Sequence, residues 1–260
     1  MNYFFSFRNS FLKSKLTIPR FQNNGIISQE LNVYEALIEN DTWKINLIDC
    51  DYNNNFYFID EKLTNNYSIY FLARDKDLQL IKKVSFKNLV NFNNFTTTLP
   101  VEYRSNFKIF TNQGGFSSYQ SDYPFDMTCK NGSILSPINT LLNVDSDYNS
   151  IIFRNIYTKP INKEFNLFFV NLFSKKVLFK KKLLTNFTNE IVVEKKFIDP
   201  DVYIFTDNFI GIPVYLSIKK GHLSLEHTHP PHHYILSEDK FDKIKKIKTK
   251  VYEIISSNNT

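Results

Sequence analysis

"DYNNNFYFIDEKLTNNYSIYFLARDKDLQLIKKV", residues 51–84, and "DYNSIIFRNIYTKPINKEFNLFFVNLFSKKVLFKKKL", residues 147–183, decide how this chain is read. Each opens on Asp-Tyr-Asn, passes a short apolar run and crosses a polar turn. Each then enters an aromatic stretch, Tyr67 to Leu72 in the first and Phe165 to Val170 in the second. The correspondence continues downstream, where "FKIFTNQGGFSSYQS" from Phe107 answers "VYIFTDNFIGIPVYLS" from Val202. Ile109-Phe110-Thr111 falls on Ile204-Phe205-Thr206, and Gly115 and Tyr119 fall on Gly211 and Tyr215. A steady offset of about one hundred residues is the mark of a duplicated module. The spacing therefore predicts a tandem duplication.

Within each copy the apolar and aromatic residues come in short runs bounded by Asn, Asp, Lys and Pro, which is strand rather than helix spacing. "SIYFLA" and "LFFVNL" are apolar on both faces, as strands buried between two layers are, and each precedes an alternating partner, "LQLIKKV" or "VLFKKKL". Two packed antiparallel sheets per copy accommodate so many short strands. The expected fold is thus mainly all-β, two tandem β-sandwich repeats followed by a C-terminal amphipathic helix. In length and rhythm each copy resembles an immunoglobulin-like sandwich, without the Cys…Trp…Cys spacing; the sole tryptophan, Trp43, has no counterpart in the second copy.

The expected boundaries are a flank over residues 1–40, a first repeat over 41–125, a second over 126–236 and the helix over 237–256. The flank contains "SQELNVYEALIEN", whose spacing suits a short helix packed on the first sandwich. At the other end Ser237 suits an N-cap, Glu238 and Asp239 occupy the first turn, and Phe241, Ile244, Ile247, Val251 and Ile254 form one stripe. That stripe predicts a helix docked on the second repeat, with Lys243, Lys245, Lys246, Lys248 and Lys250 in water.

Composition narrows function by exclusion. The 260 residues are 42% hydrophobic and 16% aromatic, ample for packed cores. A net charge of +6 accompanies an abundance of Asn, Lys, Ile, Tyr and Phe that suggests a biased coding sequence, so the charge is discounted and nucleic acid is not the expected partner. Six glycines provide no Gly-x-Gly-x-x-Gly, phosphate loop or nucleophile elbow, which argues against nucleotide chemistry. Cys50 and Cys129 stand apart with no CxxC spacing and read as buried thiols. "MNYFFSFRNSFLKSKL" lacks the apolar core of a signal peptide, and no run approaches a membrane span, so the expectation is a soluble, cytoplasmic chain.

One corner carries chemistry. "SLEHTHPPHHY", residues 224–234, holds four of the five histidines, with His222 just upstream. As a strand it places Leu223, Leu225, His227 and His229 on one face and His222, Ser224, Glu226 and Thr228 on the other. Imidazoles at i and i+2 can converge on one ion, and neutral imidazole suits zinc, iron, copper or nickel. Pro230-Pro231 ends the ladder and allows His232 or His233 to return toward the pair, with Glu238 the nearest carboxylate downstream. Gly221, His227 and His229 resemble the opening of the first cupin motif, in which such a pair ligates a catalytic metal; here Pro-Pro-His-His replaces the expected carboxylate, and no second motif follows. The metal candidates are His227, His229, His232, His233 and Glu238.

Two functional readings result. The preferred one is a non-catalytic binding or assembly module that recognises a protein or glycan partner. The alternative is a metal-dependent enzyme built on the histidine cluster.

Overall fold

Strands form where the apolar runs fall. The computed structural model describes residues 2–23, 28–74, 104–119, 122–128, 130–139, 141–227 and 236–258. In chain order its strands begin with β1 Asn2–Phe4, β2 Leu12–Pro19, β3 Phe21–Asn23, β4 Ser28–Glu30, β5 Asn32–Glu39, β6 Thr42–Leu47 and β7 Asp51–Tyr52. They continue with β8 Phe56–Ile59, β9 Ile69–Ala73, β10 Asn106–Thr111, β11 Phe116–Tyr119, β12 Asp122–Pro124 and β13 Leu135–Pro137. The last are β14 Tyr148–Arg154, β15 Glu164–Asn171, β16 Lys176–Leu184, β17 Thr188–Val192, β18 Val202–Thr206, β19 Ile212–Lys219 and β20 His222–His227, before a C-terminal helix over Lys240–Asn258.

These strands make four small main sheets, in the orders β12-β1-β9-β5-β6, β11-β10-β2-β8-β7, β13-β18-β15-β16 and β17-β14-β19-β20, besides the β3-β4 ribbon. This corrects the expected fold class: the protein is mainly β, with four sheets of propeller-blade size and one C-terminal helix, not two tandem β-sandwiches. The aligned stretches also pair differently. The Asp51 motif opens β7, a two-residue edge strand, whereas the Asp147 motif leads into β14, an interior strand between β17 and β19. Beyond Phe107 the chain turns through Gly114, at φ 97°, so that β10 and β11 close a hairpin within one sheet. Beyond Val202 the corresponding segments, β18 and β19, enter different sheets. Similar short apolar strings specify a strand but not its neighbour.

The expected helix at "SQELNVYEALIEN" is also corrected, since this stretch forms β4, β5 and the turn that follows. Leu31, Tyr34 and Ile38 suit a helical period, yet Val33 and Ala36 are buried as well as Leu31 and Tyr34, and β5 pairs with β9 over Asn32–Ala36 and with β6 over Tyr34–Glu39. The turn explains the outcome: Asn40 and Asp41 both take positive φ, 50° and 56°, the two-residue geometry that returns a strand on itself.

The chain forms two compact units. The first comprises Met1–Cys129, Arg154–Asn162 and Thr185–Thr188; the second comprises Lys130–Phe153, Lys163–Leu184 and Asn189–Thr260. Two short segments from the second half of the sequence thus belong to the first unit, held by backbone hydrogen bonds. Thr188 N–H donates to Asn66 O at 2.8 Å, and the buried Asn186 side chain accepts from Tyr157 N–H at 2.7 Å and donates to Lys159 O at 2.9 Å and Ile161 O at 3.1 Å. Trp43 Nε1 donates to Thr158 O at 3.0 Å, which satisfies the indole as the ring is buried.

Fully buried in the same unit, Arg154 donates through Nη1 to Asn66 O at 2.7 Å and Thr188 Oγ1 at 3.0 Å. Its Nε and Nη2 make no hydrogen bond among the described residues. Burial pushes the guanidinium down to about 9, against the opposing influence of Tyr123 and Tyr70.

The C-terminal helix covers one face of the β13-β18-β15-β16 sheet. Val251, Ile254 and Ile255 are buried against Leu135, Phe168, Val170 and Phe205, with Ile247 packed beside them. The Tyr252 ring meets Phe205 edge-on at 4.9 Å, and Lys248 Nζ donates to Ser133 O at 2.8 Å. The expected stripe is buried only in its second half: Phe241 is 64% exposed, while Ile255 joins the contact.

Two outcomes are expected in thermal or denaturant unfolding. Val251→Asp costs about 3 kcal/mol or more, because it buries a charge, whereas Phe241→Asp stays within about 0.5 kcal/mol. Equal effects at the two positions would rule out the asymmetric docking. Arg154→Met stabilises by about 1–3 kcal/mol, since it removes a desolvated charge while Asn66 O keeps the Thr188 amide. A loss of similar size would mean that the two Nη1 bonds outweigh that desolvation.

Candidate functional site

The β19–β20 hairpin builds the candidate site. Its two-residue turn, Lys220-Gly221, has φ of 48° and 81°, so both positions are left-handed and glycine takes the second without backbone strain. The turn is tethered by Asp147, whose Oδ2 accepts from Lys220 N–H at 2.7 Å and whose own N–H donates to Ile218 O at 2.8 Å. Register follows from the turn: Lys219 lies opposite His222, Ser217 opposite Ser224 and Tyr215 opposite Glu226.

Because side chains alternate, these residues share one face of the hairpin. His222, Ser224 and Glu226 are exposed, while Leu225 is buried and Leu223 and His227 are half-buried. The loop at 141–146 stands over this face and forms a groove of about 370 Å³, with Leu141, Leu142, Asn143 and Ser146 as its wall and Ser217 and Ser224 as its floor. Lys219 and His222 stand at one end and Glu226 at the other, four strand residues from His222 or about 13 Å.

Ser217 joins wall and floor. Its Oγ donates to Asn149 Oδ1 at 2.6 Å and accepts from Asn143 N–H at 3.2 Å. Asn149 Nδ2 then donates to Asn143 O at 2.9 Å, and Asn143 Oδ1 accepts from Asp145 N–H at 2.9 Å. The groove therefore offers hydroxyls over an internally satisfied amide network, with opposite charges at its ends. With Leu141, Leu142 and Leu223 also in the lining, that arrangement suits recognition by apolar contact as well as by hydrogen bonding.

Of the metal candidates read from the sequence, the described residues include His227 and Glu238. His227 ends β20 on the face opposite His222, Ser224 and Glu226, and Glu238 is exposed in the turn before the helix. His229, His232 and His233 lie outside the described residues. Among the described residues no group of three or more His, Cys, Asp and Glu could hold a metal ion. Cys50 is half-buried, and burial, with Asp49 and Asp51, pushes its thiol up to about 11, so it is protonated at neutral pH. Cys129 lies outside the described residues. Ser217, Lys219 and the 141–146 wall escaped the sequence reading. The Lys-Gly turn was a usable signal for the hairpin, but the loop over it is set by Ser217 and Asn149, far apart in sequence.

Comparison with protein-family models, with curated proteins and with solved structures returned no match.

Ser217→Ala is expected to cost about 1–2 kcal/mol and to release the wall of the groove, because it leaves the Asn143 amide and Asn149 amide oxygen without their shared partner. Hydrogen exchange at Asn143 should accelerate by about tenfold or more. Unchanged exchange would show that the wall is held by other contacts.

Proposed function

We propose that this chain is a non-catalytic binding or assembly module that recognises a protein or glycan partner, with the β19–β20 groove as its recognition surface. One observation carries the reading: a groove with a serine floor, a hydrogen-bonded wall and opposite charges at its ends. Its floor is set by a strand pair and its wall by a loop hydrogen-bonded to that pair, which favours preorganised recognition. The reading rests on this surface and not on the fold class, since one fold hosts many functions. Among the described residues no helix is long and apolar enough to cross a membrane, and a cytoplasmic location belongs to the proposal. No observation among the described residues favours the metal-dependent alternative.

The test is to probe peptide and glycan arrays with the purified protein and with Ser224→Arg, whose side chain occupies the groove. Partners bound by the wild type are expected to lose about tenfold or more in affinity, roughly 1.4 kcal/mol, in the variant. Hits indifferent to the variant, or silence on both arrays, would remove the groove as the recognition surface.

A further inference from the structure

The first unit presents a sheet face whose charges are arranged at a cost. On the outward side of β10, β11, β2 and β8, cross-strand pairing forms three rows. Phe116, Phe110 and Lys13 form the first, Ser118, Lys108 and Lys15 the second, and Asn106, Thr17 and Phe58 the third. Lys108 lies directly opposite Lys15, and like charges so placed destabilise a strand pair. The two ammonium groups move onto aromatic rings: Lys108 Nζ is 3.8 Å from the Phe116 centroid and Lys15 Nζ 5.7 Å from that of Phe110. Neither has a carboxylate partner among the described residues, in contrast to Lys13, which pairs with Glu61 at 3.3 Å. Asp51, opposite Phe58, lies at the margin of the face. Phe116 is 59% exposed and Phe58 37%.

We propose that this face binds single-stranded nucleic acid, with bases stacked on Phe116 and Phe110 and phosphates neutralised by Lys108 and Lys15. The paired lysines call for a polyanion, since phosphates between them remove the repulsion. The exposed rings select among polyanions: nucleobases offer π faces that stack on aromatic side chains without regard to sequence, whereas sulfated glycans do not. Neighbouring strands about 4.8 Å apart and same-face residues about 6.8 Å apart place rings and cations within one nucleotide of each other. This surface lies in a different unit from the β19–β20 groove, so the two proposals stand or fall separately.

The experiment is fluorescence anisotropy of a labelled oligothymidylate of about twelve nucleotides with the intact protein, between about 50 and about 200 mM salt. Saturable binding is expected, with Lys15→Ala and Lys108→Ala each reducing the salt slope by about 0.7. Phe116→Ala should weaken binding by about fivefold or more, and Phe116→Tyr, which keeps the ring, should restore it. Lys182→Ala, which removes an exposed lysine of β16, should leave affinity unchanged. The proposal fails if no binding saturates at the lower salt. It fails equally if heparin binds as tightly and Phe116→Ala has no effect, or if Lys182→Ala costs as much as Lys15→Ala, because the face would then be a site for polyanions in general. Circular dichroism melts of each variant separate lost binding from lost fold.

Discussion

Buried backbone groups must be paired, and two short segments of this chain meet that demand far from their sequence neighbours. Residues 154–162 and 185–188 satisfy their backbone within the first unit, largely through one asparagine. Asn186, held at φ 55°, uses its amide to close three bonds to the backbone of Tyr157, Lys159 and Ile161, and two residues later the Thr188 amide reaches Asn66 O. Asparagine is among the few residues that tolerate the left-handed conformation and carry both a donor and an acceptor. These bonds tie residues 157–161 and 185–188 to one another within the first unit.

Arg154 is the energetic counterpart of that arrangement. A guanidinium withdrawn from water and, among the described residues, bonded through one nitrogen is expected to cost more than its contacts return, unless its placement fixes which segments meet. The lysine pair Lys15 and Lys108 repeats the theme at the surface, where like charges face one another across a strand pair and, among the described residues, find only aromatic rings as partners. In both places a charge stands where local stability disfavours it, which is the pattern of a chain shaped by more than packing.

Strand type was legible in the sequence wherever hydrophobic runs were short and bounded by turn residues. "SIYFLA" and "LFFVNL" are buried strands, β15 pairs with the lysine-rich strand after it, and the C-terminal stripe is a docked helix. Local ambiguity misled at residues 28–40, where one set of apolar residues satisfied both a helical and a strand period and only the Asn40-Asp41 turn separated them. The histidine-rich stretch drew attention by composition, yet among the described residues the histidine that lines the groove is His222, on the other face of the strand from His227.

By itself the sequence determined a chain of short strands with a terminal amphipathic helix, because residue periodicity reports which faces of an element are apolar. Only the tertiary structure decided which strands are neighbours: the similar runs from Phe107 and Val202 became a hairpin in one sheet and two strands in different sheets. Pairing is chosen by cross-strand contacts and by loops that close over long separations, and neither is encoded in a strand's own pattern. The same reason explains the surfaces. Ser217 finds Asn149 and Lys15 finds Lys108 only after distant strands are laid side by side, so both the groove and the basic aromatic face were absent from any linear reading.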